Sequence, residues 1–175
     1  AATTTGDITV QTSTSAVSDS GDLSVQTGSS KTGGGEITIT SGSASSGRGG
    51  AISMTVGKSD LGAGSDITMA AGASADAAGG EISITGGASD TKVTGAVTVE
   101  TAAGVAGSLD SGDMTLRTGA TTATSASSSG DMSVLSGDSK STAGSVSITS
   151  GSSSGARGGA ISMTVGKSDL GAGSD

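Results

Sequence analysis

Seven acidic residues stand just before an apolar position at a recurring interval: Asp7, Asp22, Glu36, Asp66, Glu81, Asp113 and Asp131. Carboxylates stacked side by side repel one another. A hard, oxygen-seeking cation such as calcium relieves that repulsion, which makes calcium the one candidate cofactor of this acidic edge. The simpler account is an outer edge solvated by water and broken up by Ala51, Ala96, Ser145 and Ala160. The calcium-binding nonapeptide Gly-Gly-x-Gly-x-Asp is not present as such.

Hydroxyls form a second recurring set. Thr38 and Thr40, Ser53 and Thr55, Ser83 and Thr85, Ser147 and Thr149, and Ser162 and Thr164 sit two residues apart. Residues two apart share a face of a strand, so these pairs predict an outward hydroxyl ladder. Flat Thr-x-Thr ladders resemble those of solenoid ice-binding proteins. Gln11, Gln26, Glu100, Arg117 and Leu135 interrupt the second column, whereas an ice face needs regularity. Dense hydroxyl clusters also suit O-linked sugars, and Thr3, Thr4, Thr5, Thr121, Thr122 and Thr124 are the candidate acceptors. Without Asn, no N-linked acceptor occurs.

Catalytic chemistry finds little here. The chain has no His, Cys or Tyr, and no Ser beside an obvious base. Gly33-Gly34-Gly35 lacks the strand–loop–helix setting and the Lys-Ser/Thr of a phosphate cradle and reads as a corner. The expectation is a protein that is not an enzyme.

Composition narrows the classes further. Gly, Ser, Thr and Ala supply 118 of 175 residues, and aromatics none. A core built without aromatic filler must be thin, made of Ile, Val, Leu and Met. A net charge of −8 argues against nucleic acid as a partner and against anionic membranes. No apolar run approaches the roughly 20 residues of a membrane span. Zero cysteines exclude disulfides without fixing a compartment.

These residues are carried by one short phrase, present eleven times: a turn, an acidic or small residue, then apolar–Ser/Thr–apolar. The first apolar residues, here called anchors, are Ile8, Leu23, Ile37, Ile52, Ile67, Ile82, Val97, Met114, Met132, Val146 and Ile161. Their spacings are 15, 14, 15, 15, 15, 15, 17, 18, 14 and 15 residues. A second apolar residue follows two positions later, from Val10 to Met163. Such alternation predicts a half-buried strand with both apolar residues inward and the hydroxyl between them outward. Gly after the strand, as at Gly28, Gly57 and Gly166, marks a corner with backbone angles closed to other residues. The extra residues of the longer copies, within 101–110 and 120–129, should bulge as loops.

A repeat of about 15 residues cannot bury its own apolar pair, but stacked copies can. The predicted fold is all-β: a parallel β-solenoid (β-helix) of about 11 coils, uncapped, stacking into a filament. An antiparallel sandwich is the runner-up, disfavoured because only one kind of connection is visible. A flexible Gly/Ser linker is disfavoured by the regular apolar pairs.

Residues 48–66 recur unchanged as 157–175, a shift of 109 residues or seven phrases. We expect 1–175 to be one continuous segment and a window of a longer repetitive chain.

The run Gly-Gly-x-Ile-Ser-Met-Thr-Val-Gly followed by Lys-Ser-Asp-Leu-Gly-Ala-Gly-Ser-Asp resembles the long Ser/Gly-rich repetitive surface proteins of diatoms and related microalgae. That resemblance implies an extracellular or cell-surface place and a matrix or filament role, with no activity to carry over. The expected function is a structural subunit of an extracellular fibril. Its partners would be copies of itself, end to end or side by side, and covalent glycans. The alternative is a repetitive adhesin or ice-binding rod using the Ser/Thr face.

Overall fold

A computed structural model describes residues 5–104, 110–122 and 127–167. Among the described residues there is no strand and no helix. This overturns the expected all-β solenoid. A solenoid needs each coil bonded to the next along its length, and among the described residues no such ladder joins one phrase to another. The chain divides into two units, Ala1–Ser83 and Ile84–Asp175.

In both units long unbent stretches alternate with short bends. The bends fall at 16–18, 31–32, 45–47, 60–62 and 75–77 in the first unit, and at 90–92, 140–141 and 154–156 in the second. Each begins eight residues after an anchor. Copies 15 residues long have a three-residue bend, and the two 14-residue copies, starting at Leu23 and Met132, have a two-residue one. The period of the sequence is therefore real in the structure, but it sets the position of bends and not the stacking of strands.

The apolar pairs do not point into an interior. Among the described residues no hydrophobic side chain is buried. Ile37 is 49% exposed and Ile39 72%; Ile82 is 50% and Ile84 65%. From the second copy onward the anchor is consistently the more covered of the two, yet it keeps about half its surface in water. The chain exposes 17445 Å², whereas a folded globular monomer of its mass exposes about 7,400 Å² and a fully unfolded one about 23,000 Å². The physical reason lies in the spacers. Two branched side chains in fifteen residues, flanked by Gly, Ser and Ala, offer too little apolar area to close a core within one chain.

The glycine corners are also corrected. None of the glycines from Gly6 to Gly95 or from Gly112 to Gly166 has a left-handed φ. The glycine five residues after the anchor meets open space at Gly28, Gly42, Gly57, Gly72, Gly87, Gly119, Gly137, Gly151 and Gly166. Space is tight instead at four glycines that stand two residues before an anchor, Gly35, Gly50, Gly80 and Gly95, and at Gly86. A Cβ on Gly35 would lie 2.9 Å from Thr27 Cβ, and on Gly50 3.2 Å from Ser41 Cβ. Gly112 and Gly130, which follow the two longest spacings, are uncrowded.

Candidate functional site

Two local devices recur among the repeats. The first is a loop whose ends meet. The N–H of Gly50 donates to the carbonyl of Gly42 at 2.8 Å, Gly80 to Gly72 at 2.8 Å, Gly95 to Gly87 at 2.8 Å, and Gly159 to Gly151 at 2.9 Å. All four run from two residues before one anchor back to five residues after the previous one. All four also have Gly at both ends and a 15-residue spacing. Among the described residues the bond is absent where Ser13 or Ser65 replaces one glycine, and where the spacing is 14, at Gly28/Gly35 and Gly137/Gly144. In the first of those shorter copies the Thr27 hydroxyl donates to the Gly35 carbonyl instead, at 3.1 Å.

The second device is a serine at the entrance to the bend. Ser Oγ accepts from the N–H of the last residue of the bend: Ser18 to Ser15 at 3.0 Å, Gly62 to Ser59 at 3.1 Å, and Ala77 to Ser74 at 3.0 Å. The second unit repeats it, Lys92 to Ser89 at 3.0 Å and Ala156 to Ser153 at 2.9 Å. In the 14-residue copies the same serine reaches two residues on, from Ser30 to Thr32 at 3.4 Å and from Ser139 to Ser141 at 3.1 Å. A serine that mimics a backbone turn in this way fixes a bend without burying anything. The sequence held this signal: every one of these serines lies seven residues after its anchor.

The sequence-predicted residues fall as follows. The ladder members Thr38, Thr40, Ser53, Thr55, Ser83, Thr85, Ser147, Thr149, Ser162 and Thr164 are all exposed on unbent stretches. One of them meets the acidic edge, Thr38 Oγ1 donating to Glu36 Oε1 at 3.1 Å. Residues two apart on one face account for that contact. Asp7, Asp22, Glu36, Asp66, Glu81, Asp113 and Asp131 are exposed. Among the described residues no three acidic side chains converge on a point that could hold a metal. Of the glycan candidates, Thr5, Thr121 and Thr122 are exposed, and Thr3, Thr4 and Thr124 lie outside the described residues. The loops expected within 101–110 and 120–129 also lie partly outside them.

Charge contributes little geometry. Lys58 Nζ and Asp60 Oδ1 pair at 2.6 Å with both side chains about four-fifths exposed, where an ion pair stabilises by at most about 1 kcal/mol. Among the described residues there is no cavity and no helix long and apolar enough to cross a membrane. No protein-family model matches the chain, and neither does any curated protein or solved structure.

Proposed function

We propose that this chain is a non-catalytic structural subunit of an extracellular fibril or filament, made by association of copies of itself. The observation that carries the reading is the exposure of its apolar pairs. Among the described residues twenty-eight large hydrophobic side chains are exposed, one pair in each of the eleven phrases among them. Exposed apolar surface on this scale marks an interaction surface, and a period kept along the whole chain offers the same surface again and again. The likeness to repetitive surface proteins of microalgae supports a place outside the cell. Exposed threonines such as Thr5 and Thr122 suit O-linked sugars on such a surface.

The filament of this proposal is not a stack of solenoid coils. Concentrating the purified chain and imaging it by negative-stain electron microscopy tests it, with unbranched filaments as the expected result. A chain that stays monomeric by sedimentation at high concentration, in low and in high salt, overturns it. Thermal hysteresis of the monomer would favour the ice-binding alternative.

A further inference from the structure

Resting on the filament reading and deepening it, we propose that each phrase pairs with the same phrase of a neighbouring copy. The pairing is parallel and in register, through backbone hydrogen bonds between chains. Three observations carry this.

The first is what the backbone leaves unpaired. Among the described residues the four backbone–backbone bonds all close loops at glycines. Ile37, Thr38, Ile39 and Thr40, and the corresponding residues from Ile82 to Thr85, have no backbone hydrogen-bond partner among the described residues. Unbent backbone with a free row of N–H and C=O groups is a template for another chain.

The second is area. The chain exposes 17445 Å², about 10,000 Å² more than a folded monomer of its mass. Obligate interfaces bury about 2,000–5,000 Å². The surplus is enough for a neighbour on each side, more than one dimer contact would cover.

The third selects the neighbour and the register. The spacings are uneven, with 17 and 18 next to each other and 14 at two places. A neighbour displaced by one phrase sets loops of unequal length against one another. A neighbour running the opposite way sets the 17- and 18-residue spacings against 15-residue ones. Only an identical chain, parallel and undisplaced, aligns all eleven phrases, both short loops and both long ones. It also places each apolar residue over its own copy and each hydroxyl over its own copy, which keeps the two faces of every phrase unmixed.

The test uses filaments of the full chain. In-register pairing puts one chain in each layer of about 4.8 Å. With a mass of 16.0 kDa, that gives about 33 kDa per nanometre, or an integer multiple where layers lie side by side. Scanning transmission electron microscopy measures this directly. Because the chain has no cysteine, Ser53→Cys and Ser133→Cys each accept one spin label. In-register stacking brings identical labels into a column, and the expected spectrum is a single exchange-narrowed line at both positions. Filaments roughly tenfold lighter per length, or labels that give the spectrum of isolated spins at both positions, overturn the in-register pairing and leave the filament reading standing. A chain that forms no filaments overturns both.

Discussion

The amide of Gly50 donates to the carbonyl of Gly42 across 2.8 Å, and a Cβ on Gly50 would stand 3.2 Å from Ser41 Cβ. The partner glycine, Gly42, has nothing within 4 Å of its own missing Cβ. Both residues are glycine, yet only one is crowded. The loop between them brings its ends together without enclosing anything, so its shape rests on that bond, on the bend at 45–47 and on bare backbone at the second end. Ala44 stands where other copies have the bend serine, so here the closing bond acts without that support.

The asymmetry makes a paired prediction. Gly80→Ala places a methyl 3.3 Å from both Ala71 Cβ and the Gly72 amide nitrogen, so the closed loop has to shift slightly to admit it. Gly72→Ala meets open space and a φ that other residues adopt, so it is tolerated. Amide hydrogen exchange at residue 80 is the measurement. The expected outcome is faster exchange in Gly80→Ala, with Gly72→Ala close to the parent chain. Gly86→Ala, beside the Gly87/Gly95 closure, should be more disruptive than either, because its Cβ would fall on the Gly95 carbonyl oxygen.

The bend serine gives a second prediction. Ser74 Oγ accepts the Ala77 amide at 3.0 Å in full view of solvent. Removing it in Ser74→Ala should cost about 0.5–1 kcal/mol locally, or roughly two- to fivefold in exchange rate at Ala77. Ser74→Thr keeps the hydroxyl and should restore the parent rate. An unchanged rate at Ala77 in Ser74→Ala would show that the bend is set by the loop closure at Gly72 and Gly80 alone.

How much of this was legible in the sequence depends on the range of the interaction. The period, the anchors and the duplication were plain, and the bends obey that period to the residue. The serine column at Ser15, Ser59, Ser74, Ser89 and Ser153 was equally visible once the copies were aligned on their anchors, because a turn made by a side chain and a nearby amide is a local event. The solenoid was not legible correctly. The alternation Ile37-Thr38-Ile39 describes a chain able to pair, and it does not say with what. Nothing in a two-residue apolar pair separates a neighbouring coil from a neighbouring copy. The glycines misled for a related reason: Gly at Gly28 or Gly57 suggests a special φ, whereas the structure is short of room at Gly35 and Gly50.

Exposure of every apolar pair predicts how the isolated chain responds to heat. Cooperative unfolding draws its enthalpy and heat-capacity change from buried surface, and here no hydrophobic side chain among the described residues is buried. Scanning calorimetry of the dilute monomer should show no cooperative endotherm. A sharp transition in the monomer, with a heat-capacity step of ordinary size for 175 residues, would show a core formed within one chain.

Charge should govern assembly in a direction fixed by the register. In-register copies set Glu36 over Glu36 and Glu81 over Glu81, and the whole chain carries a net charge of −8. Like charges opposite one another on paired strands are destabilising, and exposed charges are screened by salt, with a Debye length of about 30 Å at 0.01 M falling to about 8 Å at 0.15 M. Raising sodium chloride across that range should lower the concentration at which filaments appear. The double variant Glu36→Gln, Glu81→Gln should assemble at lower concentration than the parent in low salt and converge with it in high salt. Asp60→Asn is the control: Asp60 already has Lys58 at 2.6 Å, so its removal strips a local partner as well as a repulsion. Its effect on the assembly concentration should be less than that of the double variant. Assembly that weakens as salt rises would mean that attraction between unlike charges joins the copies, which identical chains in register do not provide at these positions.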